Sequence, residues 1–329
     1  MHYKSYDSFK THKKKYNKEI TIDKDFIIDN YNNYSIVIEV NYNYAIILYK
    51  DNIVNAKLSI SKPINKVLLP GDKVVVKNIN NEYIITNLIK RTSVLSRIKK
   101  DGSKLSSIGT TKLIASNIDL GIIVVSCQEP PLHPKFIDRY LMILENSNIK
   151  PLICLNKCDL ITEKEEDILN IYKNINIPVI KTSTYQNIGI DKLKKYINNK
   201  RCILVGNSGV GKSSITNALM NTNDVKTNSI GKSKRGRHTT TTSKYYIIND
   251  NTSIIDTPGI RSLDVSSFNK LEIQNYFIEF NDYKNKCKYK NCTHIHEDIN
   301  DCMVKRAVKD GLINQDRYNS YVRIIKEDT

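Results

Sequence analysis

The sequence predicts a multidomain α/β protein in three parts: an N-terminal β-barrel of the OB type, a central parallel sheet with helices on both faces, and a C-terminal, mainly helical unit that binds zinc. Three observations predict it. Residues 33–90 read as short β-rich runs divided by turn signals. Residues 113–268 alternate apolar strand runs with helical stripes and carry a glycine loop, Gly206-x4-Gly211-Lys212-Ser213. Residues 269–329 turn helical around three cysteines and a pair of histidines at close spacing. A basic tail, 1–32, and a linker, 91–112, complete the division.

The 329 residues are enough for two or three domains, and a hydrophobic fraction of 40% is adequate for packed cores. No apolar run approaches the ~20 residues of a membrane span, and the N-terminus lacks the apolar core of a signal peptide. The expectation is a soluble, cytoplasmic, monomeric protein with no membrane partner. The formal charge of +17 invites a nucleic-acid reading. Lysine supplies most of it, however, alongside abundant Asn, Ile and Tyr, all of which have A/T-rich codons, so charge alone assigns no partner.

Taken in order, residues 1–30 are lysine-rich, without periodicity, and read as a basic tail; the scarcity of arginine argues against organelle targeting. The β-rich runs are Tyr34–Val40, Tyr44–Leu48, Ile53–Leu58, Val74–Lys77 and Tyr83–Leu88, with Leu69-Pro70-Gly71-Asp72 the clearest turn. Five short strands at this spacing suit an OB-fold, whose curved face often binds oligonucleotides. Residues 90–112 are basic, rich in Ser, Thr and Gly, and lack apolar periodicity. Beyond them come a buried strand Leu120–Ser126, a helix Pro134–Asn146, a strand Pro151–Leu155, a helix near Glu163–Asn174, a strand Val179–Lys181 and a helix Gly189–Asn198. Strands divided by helices of this length argue for a parallel sheet with right-handed crossovers.

The next strand, Cys202–Val205, feeds the glycine loop. Gly206, Asn207, Ser208, Gly209, Val210, Gly211, Lys212, Ser213 and Ser214 then form a phosphate cradle. Loop amides and a helix N-terminus face the phosphates, Lys212 reaches the β and γ groups, and the Ser213 hydroxyl ligates Mg²⁺. The strand PLICL ends in Asn156-Lys157-Cys158-Asp159, the N-K-x-D element that selects guanine. The Asp159 carboxylate accepts from the ring N1–H and the exocyclic amine, a pairing adenine cannot offer. Asn156 fixes the loop, and the Lys157 stem packs on the base. Ser183 and Thr184, just past another strand, are the partner loop. Asp256 ends a strand and is followed by Thr-Pro-Gly, the place of an aspartate holding Mg²⁺ through water, with the Gly259 N–H on the γ-phosphate. A switch threonine for Mg²⁺ falls in the run Thr239–Thr242, at Thr240 or Thr241. The bound nucleotides are therefore GTP and GDP. Two other classes stay open on the motifs: a small-molecule P-loop kinase or ATPase, which Asp159 disfavours, and an RNA-binding protein in which nucleotide is structural.

The order of these motifs is unusual. N-K-x-D and the Ser183 loop precede the phosphate loop, and D-T-P-G comes last, as in a circularly permuted GTPase. With a barrel before and a cysteine cluster after, the chain closely resembles the circularly permuted, ribosome small-subunit-dependent GTPases, the RsgA/YjeQ family, from about Tyr34 to the C-terminus. Further marks are Ser116-Asn117-Ile118-Asp119, Glu129-Pro130-Pro131, Ile137-Asp138-Arg139, Gly236-Arg237-His238-Thr239-Thr240-Thr241 and Arg317-Tyr318-x-x-Tyr321. The resemblance implies GTP hydrolysis stimulated by the small ribosomal subunit and its rRNA, during late maturation of that subunit. Ile260 stands where many GTPases have the glutamine that orients water. His238 is the nearest polar candidate for that role, as the family also suggests, and with Lys212 forms the candidate catalytic pair.

Among seven cysteines, Cys127, Cys154 and Cys202 lie in apolar runs as small core residues, and Cys158 takes a variable motif position. Cys287, Cys292 and Cys302 cluster near His294 and His296, which suggests metal rather than disulfides. Three thiolates and one imidazole suit a closed, structural tetrahedral zinc site. Either histidine serves on spacing, and the family resemblance favours His294. The seven residues between His294 and Cys302 are about two more than the family pattern, with Asp298–Asp301 expected to loop out.

Overall fold

The computed structural model describes residues 27–29, 31–58, 68–99, 110–220, 244–256 and 268–327. Five strands close the N-terminal barrel: β2 (Ser35–Val40), β3 (Tyr44–Tyr49), β4 (Asn52–Leu58), β5 (Lys73–Ile79) and β6 (Glu82–Ile89). Their order, β6-β4-β3-β2-β5, returns to β6, so no strand of the five is left as an edge. The β4–β6 contact is parallel and the other four are antiparallel. Bulges between Val37 and Glu39 and between Val75 and Val76 sharpen the strand bends that closure needs. Val37, Ala45, Ile47, Ala56, Val74, Ile85 and Leu88 fill the interior.

Two segments carry more structure than the sequence suggested. The end of the tail forms β1 (Ile27–Ile28), which lies parallel to β6; residues 1–26 lie outside the described residues. The stretch expected as a linker contains β7 (Val94–Lys99), paired antiparallel with β8 (Thr110–Ser116). The extra residue of the bulge opposite Leu95 and Ser96 is Ile114 on β8, and β7 itself reads Val-Leu-Ser-Arg-Ile-Lys, which lacks the apolar alternation that announces a strand. Leu95 and Ala115 are both fully buried in the main core.

The barrel meets the central domain at a dense polar joint. Asp72, fully buried, accepts from Arg91 Nε and Nη2 at 2.7 Å each, from Ser116 Oγ at 2.5 Å and from the Leu69 amide at 2.8 Å. Gly71 has φ +94°, and a Cβ there would lie 2.2 Å from the Ser116 carbonyl oxygen, so the close approach requires glycine. Asn117 Nδ2 and Arg201 Nη1 both donate to the Gly71 carbonyl.

The central sheet runs β11-β10-β9-β12-β14-β13, with β9 (Leu120–Ser126), β10 (Lys150–Asn156), β11 (Val179–Lys181), β12 (Arg201–Val205), β13 (Lys244–Asn249) and β14 (Thr252–Asp256). All neighbours are parallel except β13–β14. One face is covered by α1 (Pro134–Asn146) and α2 (Glu163–Asn174), the other by α3 (Ile190–Ile197) and α4 (Lys212–Met220). Alternate residues of β9 serve the two cores, Ile123 and Val125 on one side, Ile122 and Val124 on the other. That explains why the strand reads as one continuous apolar run.

The C-terminal part comprises α5 (Lys270–Ile273), three 3-10 turns, α6 (Met303–Lys309) and α7 (Gln315–Glu327). It shares a core with α1, and Arg317 of α7 is the polar centre of that contact. The Arg317 guanidinium pairs with Asp138 of α1 through Nη1 and with Glu279 through Nε at 2.7 Å and Nη2 at 3.1 Å. Tyr172 donates to Asp138 at 2.8 Å. Burial alone would lower the Arg317 pKa, but the charges of Asp138 and Glu279 outweigh it and raise it. No helix among the described residues is long and apolar enough to cross a membrane.

Candidate functional site

The strand ends of β9, β10, β11, β12 and β14 open on the same edge of the sheet, where parallel sheets present their ligand loops. The loop after β12 wraps into the N-terminus of α4. Gly206 has φ +146°, with the Val124 carbonyl 2.2 Å from where a Cβ would stand, and Gly211 has φ +94°, with Asn156 Nδ2 at the same distance. Side chains at either position would push the loop off the sheet. Lys212 Nζ donates to the carbonyls of Gly206 at 2.8 Å and Asn207 at 2.7 Å, which folds the ammonium over the cradle. Ser208, Gly209, Ser213 and Ser214 are exposed, and Val210 is buried as the loop's anchor.

Asn156 is nearly fully buried. Its Nδ2 donates to the Val210 carbonyl at 3.0 Å and its Oδ1 accepts from Thr182 Oγ1 at 3.3 Å. One side chain thus ties the N-K-x-D strand to the phosphate loop and to the loop after β11. Lys157 takes φ +57° and anchors Nζ on the carbonyls of Gln128 at 3.1 Å and Glu129 at 2.7 Å, and Asp159, two residues on, is exposed. The Cys158 amide donates to the Thr182 carbonyl at 3.0 Å. Ser183 is buried, bridges to Ile188 and accepts from the Gln186 amide at 3.1 Å, which shapes the loop bearing Thr184. Asp256 ends β14 beside β12, in register with Leu204. The structure therefore brings together Asn156, Lys157, Asp159, Ser183 and Thr184 with the loop 206–214 and Asp256. His238, Thr240, Thr241 and Gly259 lie outside the described residues.

Sequence reasoning overlooked Tyr140, whose hydroxyl reaches Asn207 Oδ1 at 3.4 Å from α1. Only the helical stripe marked it, and a stripe does not separate a core tyrosine from one touching the phosphate loop. A shallow, open hollow lies beside this contact, lined by His133, Phe136, Tyr140, Asn207 and Val210 among others.

At the C-terminal end, Cys287, Cys292, His294 and Cys302 place their ligand atoms within 4.8 Å of one another. His296 is exposed and stands apart from this group. The longer spacing is absorbed by a turn in which the Asp298 backbone carbonyl accepts from the amides of Asp301 and Cys302, both at 3.0 Å. Burial pushes the Cys292 and Cys302 thiols above their ordinary range and holds the His294 imidazole neutral, down to about 4. Converging buried thiols that resist ionisation are what a divalent soft cation relieves, so this donor set fits zinc. His294 Nδ1 lies 3.4 Å from Cys302 Sγ and 3.7 Å from Cys287 Sγ, against roughly 3.5 Å for the edge of a zinc tetrahedron.

The model of the RsgA GTPase family matches residues 88–266. The chain belongs to the RsgA GTPase family. It is similar to the small ribosomal subunit biogenesis GTPase RsgA of Pseudomonas fluorescens SBW25, 35% identical over 264 residues, covering 78% of this chain and 74% of that protein. The RsgA protein of Flavobacterium psychrophilum is 37% identical over 221 residues, 66% of this chain and 67% of its own. Among solved structures, YjeQ from Thermotoga maritima superposes with a TM-score of 0.72 at 26% identity, covering 90% of this chain and 98% of that one. YloQ, described as a circularly permuted GTPase, gives 0.66 at 26% identity, with 90% and 94% covered. The barrel, the permuted core and the helical cysteine-histidine region of this chain follow that architecture.

Proposed function

We propose that this chain hydrolyses GTP to GDP and phosphate when stimulated by the small ribosomal subunit, and acts in the cytoplasm during late maturation of that subunit while bound to rRNA. The observation that carries the reading is the Asn156 side chain joining a guanine-selecting loop to a phosphate loop. The RsgA relatives, small ribosomal subunit biogenesis GTPases by name, supply the context. In this reading Asp159 accepts from the guanine edge, Lys157 covers one base face, and the Ser183–Thr184 backbone closes the other side. The amides of 207–214 receive the phosphates, and Lys212 exchanges loop carbonyls for β and γ oxygens. Ser213, Thr240 or Thr241, and Asp256 through water, would hold Mg²⁺, which neutralises charge on the triphosphate when bound. The Gly259 N–H meets the γ-phosphate.

Ile260 offers no hydrogen bond to an attacking water, so intrinsic turnover is slow and His238 orients the water once the ribosomal surface sets its loop. Substituting His238→Ala is expected to abolish subunit-stimulated turnover and leave GTP affinity within a few-fold of wild type, checked by single-turnover kinetics and nucleotide titration. The barrel, the segment 90–112 and the zinc-binding unit are the RNA-gripping surfaces. The deciding experiment measures GTP turnover by the full chain as purified small subunits are titrated in. A saturable rise in kcat supports the proposal; turnover indifferent to small subunits rejects it.

A further inference from the structure

We infer that Gln274, which lies outside the cysteine-histidine loop, fixes the tautomer of His294 so that Nδ1 faces the zinc ion. The inference rests on the zinc reading of the cluster. His294 Nε2 lies 2.8 Å from Gln274 Oε1. A glutamine amide can be turned either way, but here its Nε2 donates to the Leu271 carbonyl at 2.8 Å. A carbonyl accepts and never donates, so the amino end of the amide is committed to Leu271 and the oxygen end to the ring. An acceptor opposite Nε2 requires a proton there. The neutral imidazole then carries its lone pair on Nδ1, the nitrogen that stands between Cys287 Sγ and Cys302 Sγ.

The ring has little freedom to choose otherwise. His294 is fully buried, with φ +59°; Tyr318 donates to its carbonyl at 2.6 Å, and Phe280 meets the ring edge-on at 5.9 Å. Gln274 is a positioning residue: it orients a ligand without touching the metal, as the outer partners of metal-bound histidines do. It also sits in the turn Gln274–Tyr276, whose Tyr276 hydroxyl donates to Asn146 Oδ1 at the end of α1. The metal's outer hydrogen bond therefore ends on a segment that touches the GTPase core.

The test uses the full chain, loaded with zinc. Long-range ¹H–¹⁵N spectra of the histidine rings are expected to show His294 protonated at Nε2 and metallated at Nδ1. Competition with a chromogenic chelator should give Gln274→Leu a zinc affinity about 10- to 100-fold below wild type. Gln274→Glu, which keeps an acceptor toward Nε2 but loses the donation to Leu271, should hold zinc several-fold more tightly than Gln274→Leu. A packing role alone would not separate the two variants. Metal on Nε2, or wild-type affinity in Gln274→Leu, overturns the assignment. A wild-type chain that takes up no zinc overturns the metal reading and the assignment with it.

Discussion

Asn156 is the residue on which the nucleotide site turns, because it spends one side chain on three loops. The neighbouring Asp159 is exposed and makes its case through chemistry alone. Converting it to an amide replaces an acceptor with a donor, which guanine's exocyclic amine cannot use but xanthine's 2-oxo group can. Asp159→Asn is expected to weaken GTP binding by about 100-fold or more and to improve xanthosine triphosphate binding, read by competition titration. Glu145, near the end of α1, gives a pH signature. Burial is the main cause and lifts its carboxyl to about 7, with Arg317 opposing, from an ordinary 4.5. Ionisation is thus harder in the fold than in the unfolded chain. The carboxyl's stabilising contribution is present in full below about 4.5 and is lost as pH rises through 7. Glu145→Gln should be more stable than wild type at pH 8, by roughly 2 kcal/mol after allowance for its partial solvent contact, with the gain gone at pH 4. Urea midpoints at the two pH values check this. The glycine loop and N-K-x-D were legible in the sequence because phosphate and guanine dictate residue types at fixed spacing. Gln274 was not, since a glutamine has no motif and its meaning depends on a ring twenty residues away.

Among the elements, α1 faces two ways. Asp138 turns inward to Arg317 of α7, while Tyr140 reaches Asn207 of the phosphate loop. The sequence displayed both ends of the ion pair as family marks, but no pattern could join positions 179 residues apart. Removing the guanidinium leaves Asp138 and Glu279 buried without a cation. Arg317→Met should cost about 3–5 kcal/mol in urea unfolding, and Asp138→Asn added to it should cost far less than the sum of the single changes. The strand β7 marks the opposite limit of legibility: Val94-Leu95-Ser96-Arg97-Ile98-Lys99 has no apolar alternation of its own, and only its pairing with β8 makes it a strand, so it read as a linker. The barrel strands were recognised because five short β-rich runs divided by turn signals leave few other folds.

For the whole molecule, the charge of +17 acquires meaning only through the proposed RNA partner. If the barrel and the C-terminal unit neutralise phosphates, the logarithm of subunit affinity should fall linearly with the logarithm of salt, with a slope magnitude of about 3 or more. Sedimentation binding at several salt concentrations measures it, and a flat response would remove electrostatics from the interface.

Arg201 opens the strand that ends in the phosphate loop, and its guanidinium holds the carbonyls of Gly71 in the barrel and Asn117 beside it. Strand β12 is therefore fastened to the barrel at its foot and runs into the phosphate loop at its head. Two surfaces locked in this way present themselves to a large partner as one rigid ligand. Once the first touches, the second is already placed, and its association costs little additional freedom. Cutting Arg201 back to alanine would loosen that linkage and divide one bivalent encounter into two weaker ones.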